Sequence, residues 1–269
     1  NPLDFALWKA AKLGEVSWKS PWGQGRPGWH IECSVMATSI LGDTIDIHGG
    51  GADLEFPHHT NEIAQSEAKT GKTFANYWMH NGFVNVDNEK MSKSLGNFVT
   101  VHDMLKTVDG QVLRFFLATQ QYRKPINFTE KAVHDASVNL KYLKNTFTLP
   151  LGKAVDAAEL AKFKADFEAA MDDDFNTANG ITVAFDMAKW INSGNYDQVT
   201  KDTFAKMLAV FGIVFEEEVL DADIEALIEK RQEARANRDF ATADAIRDQL
   251  AAQGIKLLDT KDGVRWTCD

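Results

Sequence analysis

The spacing of apolar residues changes along this chain, first near Asp109, and this change limits the folds that the chain can adopt. Before about residue 105, short β-like runs alternate with glycine and proline, as in an α/β domain. Residues 44–48 alternate like a strand and lead into three glycines, and residues 82–86 are a second strand candidate. After Asp109 the apolar residues recur at steps of three and four, which predicts helices.

The helical part is predicted to form a bundle over residues 109 to about 215. The residues that carry this spacing near its start are Val112, Leu113, Phe116 and Leu117, and residues 130–147 continue it. Asp156 suits the N-cap of an amphipathic helix, and another helix is predicted over about residues 179–191. The apolar positions of the Asp156 helix are Leu160, Phe163, Phe167 and Met171.

The tail has a third pattern. Two helices are predicted over residues 223–237 and 239–253, with Gly254 just past the end of the second. Residues 255–258 and 264–266, joined by a turn through residues 262–263, then favour a β-hairpin. The tail is therefore predicted to be a small α+β module.

Composition excludes several classes of protein. The 269 residues contain two cysteines, Cys33 and Cys268, too few for a disulfide scaffold. No apolar run approaches the roughly 18 residues of a membrane span, and the start lacks the pattern of a secretory signal. A net charge of −10 disfavours nucleic-acid binding through overall charge alone. A cytoplasmic enzyme with no membrane partner is expected.

One group of residues has the side chains that bind zinc, namely Cys33, His58 and Glu62. His58 and Glu62 are four apart, so on a helix they share a face, and Pro57 suits the start of that helix. Further imidazoles lie nearby, at His30, His48 and His59. The alternative is that Cys33 is a small buried apolar residue and the histidines are core groups. Spacing does not decide between the two.

Two glycine- or lysine-rich loops suit a nucleotide. Glycines 49–51, followed by Asp53, would let backbone approach a ligand and offer a carboxylate to ribose hydroxyls, although a tight turn with positive φ explains them equally well. Residues 90–97, KMSKSLGN, put two lysines and two hydroxyls in one loop after a strand. These groups can neutralise charge on a leaving pyrophosphate, or they form a solvated basic loop.

Four longer motifs carry a resemblance. They are KMSKS at 90–94, GWHIEC at 28–33, DIHGGGADLEFPHHTNEIAQ at 46–65 and MDDDFNTA at 171–178. With them the chain closely resembles the cysteinyl-tRNA synthetases, a family of class I aminoacyl-tRNA synthetases, over essentially its whole length. The implied fold is the C-terminal half of an α/β Rossmann-like catalytic domain, then an α-helical bundle and a small α+β C-terminal module. The implied ranges are 1–108, 109–217 with the stem contact, and 218–269 for anticodon binding.

The resemblance also implies site residues. Cys33, His58 and Glu62 would hold one Zn²⁺ per subunit, with a fourth ligand, a cysteine, from a stretch that this chain lacks. Trp29 and His30 would wall the cysteine pocket. Gly51 and Asp53 would contact adenosine, while Lys90 and Lys93 would be catalytic, with Lys93 contacting ATP and Mg²⁺ accompanying the nucleotide. The implied partners are ATP, L-cysteine and tRNA(Cys).

On the tRNA side, the tail places two arginines on one helical face beside an aromatic residue, which suits unstacked bases. The resemblance assigns anticodon contact to this module, with the candidates Arg231, Arg235, Phe240, Asp244 and Asp259. The alternative is that the arginines pair with Glu229, Glu233 and Asp239 on a solvated surface. Residues 122–124 are candidates for the inner bend of the tRNA.

The chain departs from the family in one respect. The HIGH signature, which binds ATP phosphates, is absent, so this chain alone is expected to be inactive. Two rivals follow. One is the cysteine ligase of mycothiol synthesis, which shares the zinc site and the KMSKS loop and needs no anticodon module. The other is a non-catalytic truncated relative that binds tRNA.

Overall fold

The computed structural model describes residues 1, 3–92, 94–152, 154–215, 222–260 and 263–268. The chain divides into two compact units, Asn1–Phe215 and Glu216–Asp269, and each is described by itself. Lys93 and the predicted turn residue Asp262 lie outside the described residues.

The first unit opens with a small antiparallel sheet. Its strands are β1 (Trp8–Ala10), β2 (Trp18–Ser20) and β3 (Gly23–Pro27), in the order β1-β3-β2. Helix α1 (Trp29–Leu41) follows directly, with Gly28 in an extended conformation at its N-cap. A Cβ at Gly28 would lie 2.1 Å from the carbonyl oxygen of Ala6, so only glycine fits where the chain passes this close.

A parallel strand pair positions the predicted metal ligands. Strands β4 (Ile45–Gly51) and β5 (Ala75–Asn81) are joined through helix α2 (Thr60–Thr70), because parallel neighbours need a long crossover. Their core is small. It consists of Ile45, Phe74 and Ala75, with Ala37, Ile63 and Trp78 packed against it. The predicted strand at 44–48 is thus confirmed and runs further, through all three glycines.

A third sheet supports the KMSKS loop. It contains β6 (Val84–Val86), β7 (Glu89–Lys90) and β8 (Ile126–Phe128), with β6 in the centre, antiparallel to β7 and parallel to β8. The predicted strand at 82–86 therefore begins two residues later. Gly82 is packed against the chain around Lys124, where a Cβ would lie 2.3 Å from a carbonyl carbon. The short helix α3 (Val101–Met104) follows the loop.

Five helices form the predicted bundle. They are α4 (Gly110–Ala118), α5 (Glu130–Phe147), α6 (Ala157–Asp172), α7 (Thr177–Asn192) and α8 (Gln198–Val210). Each begins at a residue whose side chain accepts a hydrogen bond from the first turn, Asp156 of α6 among them, so the predicted cap is confirmed. Leu143, Met187 and Phe204 lie in the shared core. Of the helices that the structure describes, none combines the length and the apolar character that crossing a bilayer requires.

The second unit is the predicted α+β module. It contains α9 (Ala222–Ala236), α10 (Phe240–Ala252) and the antiparallel strands β9 (Ile255–Thr260) and β10 (Gly263–Cys268). Gly254 has φ 79°, the left-handed conformation expected just past a helix end. The core of this unit centres on Ile246, Leu250 and Ile255.

Candidate metal centre and nucleotide loops

Three side chains from separate segments converge beside the β4–β5 pair. Cys33 lies on α1, His58 lies in the turn before α2, and Glu62 lies in the first turn of α2. One ligand atom of each lies within 4.8 Å of the other two. His58 and Glu62 are 5% and 1% exposed, and Cys33 is partly buried. A thiol, an imidazole and a carboxylate at this spacing match the donor set of a zinc site.

The carboxylate of Glu62 has one oxygen that no hydrogen bond explains. Oε1 lies 2.7 Å from Nε2 of His58, yet this buried oxygen accepts no hydrogen bond among the residues that the structure describes. A buried, unpartnered carboxylate oxygen is costly. A cation between Oε1, Nε2 and the Cys33 thiol would remove that cost, so the residues present fit a metal ion.

The backbone before α2 brings His58 and Glu62 one helical turn apart. Phe56 is extended (φ −137°, ψ 132°), whereas His59 and Thr60 have helical angles. Helical backbone therefore begins just after Phe56, where Pro57 is favoured because the first turn has no use for its missing N–H. The prediction that Pro57 opens the helical segment is confirmed.

A second set of imidazoles surrounds Glu62 on its other side. Nε2 of His48, on β4, lies 2.5 Å from Oε2 of Glu62, and one ligand atom each of His48, His59 and Glu62 lies within 4.8 Å of the others. Nδ1 of His59 in turn lies 2.8 Å from Nε2 of His80, on β5. Burial lowers the pKa of His59, and the neighbouring His48 lowers it further, which favours the neutral ring.

Trp29 and His30 pack on the exposed side of the same cluster. The Trp29 ring is stacked on His58 with centroids 4.3 Å apart, while Nδ1 of His30 lies 2.7 Å from Nδ1 of His58. Burial lowers the pKa of His30, with a smaller contribution from His58. Burial also raises the pKa of Cys33, as does the negative charge of Glu62. A bound cation would reverse that effect, since a coordinating thiol is deprotonated.

The three glycines of β4 serve close packing. None has a positive φ, so the alternative of a tight turn that needs positive φ is wrong. A Cβ at Gly50 would lie 2.9 Å from a methyl group of Leu54 and 3.0 Å from the His59 ring. A Cβ at Gly51 would lie 2.6 Å from Oδ1 of Asp53. The carboxylate of Asp53 thus lies against bare backbone at the carboxyl end of β4, where open α/β sheets bind ligands.

The KMSKS loop is cross-linked by one amide. The Asn97 side chain accepts a hydrogen bond from N–H of Ser92 (2.9 Å) and donates one to the carbonyl of Lys90 (3.2 Å). Nζ of Lys90 lies 4.4 Å from the centroid of the Phe83 ring. The Asn97 side chain therefore ties the end of the loop to its beginning at Lys90 and Ser92.

In the second unit, the predicted tRNA residues are largely paired with one another. Arg231, 4% exposed, donates two hydrogen bonds to Asp259, each 3.0 Å long, and Arg235 binds the same carboxylate. The Arg231 guanidinium lowers the pKa of Asp259 to about 2. These partners differ from Glu229, Glu233 and Asp239, the acidic residues that the sequence offered as the alternative, because Asp259 lies on β9. Arg231 and Asp259 join α9 to the hairpin.

The remaining candidates of this unit are more accessible. Phe240 is 60% exposed at the start of α10, and Arg247 pairs with Asp244 at 2.9 Å on the surface. Their contact with tRNA stays a prediction.

Comparison with known families decides the classification. Residues 1–138, just over half of the chain, match the family described as "tRNA synthetases class I (C) catalytic domain". The chain belongs to this family. Two further regions of the class I (C) synthetase chain match described domains, namely residues 166–216 ("DALR domain") and residues 217–266 ("Cysteinyl-tRNA ligase anticodon binding domain").

The class I (C) synthetase chain has close curated relatives. It is 85% identical over 269 residues to the cysteine–tRNA ligase of Streptococcus thermophilus (strain CNRZ 1066). It is 83% identical over the same length to the cysteine–tRNA ligase of Streptococcus agalactiae serotype V. Each comparison covers 100% of this chain and 60% of the relative, so the chain spans 60% of the length of these relatives.

A solved structure supports the synthetase fold. The match is to a ternary complex of Agrobacterium radiobacter K84, titled LeuRS-tRNA-LeuAMS, with a TM-score of 0.51 and 15% identity. It covers 72% of this chain and 32% of that chain. At this identity the likeness concerns the fold, which agrees with the predicted α/β class.

In this synthetase chain the structure brings together the predicted ligands Cys33, His58 and Glu62 and places Trp29 and His30 beside them. Sequence reasoning gave no role to His80 or Asn97 and did not connect His48 to Glu62. The parallel pairing of β4 and β5, which the sequence did not predict, sets Gly50 opposite His80.

Proposed function

We propose that the protein is a cysteine–tRNA ligase. It activates L-cysteine with ATP to give cysteinyl-adenylate and pyrophosphate, and transfers the cysteinyl group to the terminal ribose of tRNA(Cys) with release of AMP. The convergence of Cys33, His58 and the unpartnered Oε1 of Glu62 carries the proposal. The names of the close relatives and the match at residues 217–266 support it over a mycothiol-pathway ligase, which needs no anticodon module. A cytoplasmic location follows from this role.

Cys33, His58 and Glu62 would hold one Zn²⁺ per subunit. When bound, the zinc would hold the sulfur of the substrate cysteine as a thiolate, a bond that the hydroxyl of serine forfeits. The surrounding residues orient the ligands. His30 contacts Nδ1 of His58 and leaves Nε2 turned towards Glu62, while His48 occupies Oε2 and leaves Oε1 for the ion. Trp29, stacked on His58 and 57% exposed, would wall the substrate pocket.

ATP would bind between the end of β4 and the KMSKS loop. Asp53, lying against the bare backbone of Gly51, would accept ribose hydroxyls, and Mg²⁺ would accompany the phosphates. As the cysteine carboxylate attacks the α-phosphate, negative charge builds up on the leaving pyrophosphate. Lys90 and Lys93 would stabilise this charge, and Lys93 would contact the nucleotide directly.

The tRNA would use the other two parts of the chain. We assign residues 1–108 to the catalytic domain, 109–217 to the stem-contact and bundle domain, and 218–269 to the anticodon module. Phe240 supplies an exposed ring for stacking, and Arg235 and Asp244 supply polar groups for base edges. Arg231 and Asp259 would act by fixing the position of α9 against β9, with the exposed part of Asp259 available to a base.

The test uses the full-length protein and cysteine-dependent exchange of pyrophosphate into ATP. We expect His58→Ala to raise the KM for cysteine at least about 100-fold and to change the KM for ATP by less than about threefold, because the imidazole would hold the ion that selects sulfur. Discrimination against serine, about 10⁴-fold in a site built on one polar contact, should collapse in the same variant. His102→Ala, which changes an exposed histidine of α3, is the matched control.

The outcome decides between the proposal and its rivals. Equal losses for cysteine and ATP would rule out a zinc that selects cysteine. Exchange without charging of tRNA would favour a cysteine ligase with another acceptor. Binding of tRNA with no exchange by the wild-type protein would mean a non-catalytic relative.

A further inference from the structure

The loop between α6 and α7 is bound to a segment far from it in sequence. Both oxygens of Asp174 are used. Oδ1 accepts from the hydroxyl of Tyr122 (2.8 Å) and from Nη2 of Arg123 (3.1 Å), and Oδ2 accepts from Nε of Arg123 (2.6 Å). A bidentate pair of this kind fixes direction as well as distance. The Arg123 guanidinium also lies over the Tyr122 ring, 5.1 Å from its centroid.

The turn that presents Asp174 is itself constrained. Asp174 and Phe175 have φ values of 53° and 52°, a left-handed conformation that residues other than glycine seldom adopt twice in succession. Backbone hydrogen bonds hold the turn on α6, from N–H of Phe175 to Met171 and from N–H of Asn176 to Ala170. Just beyond it, the hydroxyl of Thr177 donates to the carbonyl of Gln120 (3.0 Å). Side-chain hydrogen bonds of Asp174 and Thr177 therefore join this part of the chain to residues 120–123.

Residues 120–123 contact the chain just before β6, the strand that leads to the KMSKS loop. The carbonyl of Tyr122 accepts a hydrogen bond from N–H of Gly82 (2.7 Å), and Gly82 has no space for a side chain on this side. Two residues further on, β6 pairs in parallel with β8, and N–H of Ile126 donates to the carbonyl of Phe83 (2.8 Å). Lys90 of β7 pairs with Asn85 of β6.

We propose that Asp174 is a positioning residue, whose bonds to Arg123 and Tyr122 fix the helical bundle against the support of β6 and so set the location of Lys90 and its loop. The inference rests on the proposed function, in which that loop handles the phosphates of ATP. Exposed ion pairs contribute little to global stability. The contribution of Asp174 is accordingly to the position of the nucleotide loop relative to the bundle.

The experiment compares Asp174→Asn with Asp173→Asn in the full-length protein. Asp173 lies in the same loop and is exposed. Its side chain makes no hydrogen bond or ion pair with the residues that the structure describes. We expect Asp174→Asn to raise the KM for ATP in pyrophosphate exchange about fivefold, corresponding to about 1 kcal/mol, with the KM for cysteine changed less than about twofold. Hydrogen exchange should accelerate at residues 82–90 in this variant alone. Arg123→Gln combined with Asp174→Asn should be no worse than either single change.

Several results would overturn the proposal. One is identical behaviour of the two asparagine variants. Another is a parallel rise of both KM values with faster exchange throughout residues 1–215. If Asp174→Asn fails to fold, Tyr122→Phe removes one bond to the same carboxylate and is judged by the same measurements. A wild-type protein without cysteine-dependent exchange would contradict the proposed function, whereas the hydrogen-exchange comparison would still decide the role of Asp174.

Discussion

Nε2 of His48 lies 2.5 Å from Oε2 of Glu62, and this contact joins the strand β4 to the helix α2 at the candidate metal centre. It assigns the two oxygens of one carboxylate to different partners, because Oε1 faces His58. A group that hydrogen-bonds to a metal-ligating side chain controls both the orientation and the basicity of that side chain.

His48→Ala should therefore weaken metal binding although His48 is not among the proposed ligands. We expect the zinc affinity of the full-length protein to fall by about 10- to 100-fold. Competition with a chromogenic chelator measures this, with His134→Ala, an exposed position on α5, as control. Unchanged affinity in His48→Ala would show that α2 orients Glu62 without help.

Asp259 predicts a pH dependence of the second unit. The pKa of this carboxyl falls from 3.8 to about 2 on folding, so its contribution is fully present above about pH 4 and is lost as the pH falls through the folded value. Because its side chain is 43% exposed, solvent screening limits the contribution to about 1 kcal/mol.

This dependence can be measured by hydrogen exchange at residues 255–259 between pH 5 and pH 2.5. Asp259→Asn should be less stable at pH 5, and its stability should change less over this interval than that of the wild type. Parallel curves for the two proteins would mean that other carboxyls control the acid response.

Asn97→Ala should loosen the KMSKS loop. It removes the bonds to Ser92 and Lys90, and we expect the KM for ATP to rise about three- to tenfold, as for the loss of one or two neutral hydrogen bonds. Asn97→Asp retains the acceptor for Ser92 but sets a carboxylate oxygen against the carbonyl of Lys90 and adds negative charge to the loop, so its KM should rise at least as much. Asn145→Ala, exposed on α5, is the control in pyrophosphate exchange. A wild-type KM in Asn97→Ala would contradict a role for this amide.

Gly82→Ala should destabilise the first unit. The added Cβ would lie 2.3 Å from the backbone at Lys124, and backbone cannot move away as a flexible side chain can. Overpacking of this kind costs about 1–3 kcal/mol. Gly110→Ala, where the nearest atom lies at an ordinary 3.5 Å, is the matched control and should be neutral or stabilising in urea unfolding. Equal midpoints for the two variants would refute the packing argument.

The elements that the sequence predicted well are those whose signals are local. The cap at Asp156, the apolar spacing that follows it and Gly254 after α10 all act within a few residues, so a linear pattern contains them. His58 and Glu62 were paired for the same reason, since one helical turn separates them.

The relationships that the sequence did not give depend on which segments become neighbours. His48 reaches Glu62 only once β4, β5 and α2 have packed together. Asp259 lies 28 residues from Arg231 and is predicted at a base edge, while local acidic residues are only the alternative partners of the arginine. Asp174 and Arg123 are 51 residues apart. Tertiary pairing over such distances leaves no periodic trace in the chain.

The single carboxylate that serves Arg231 and Arg235 has a consequence for recognition. A phosphate that takes Nη1 of Arg235 would replace an anion that the protein already supplies, so that binding event would exchange one negative group for another. Fewer condensed cations would then leave the nucleic acid than on binding to an unpaired arginine. A phosphate contact made there would therefore depend less on ionic strength than one made by an unpaired arginine.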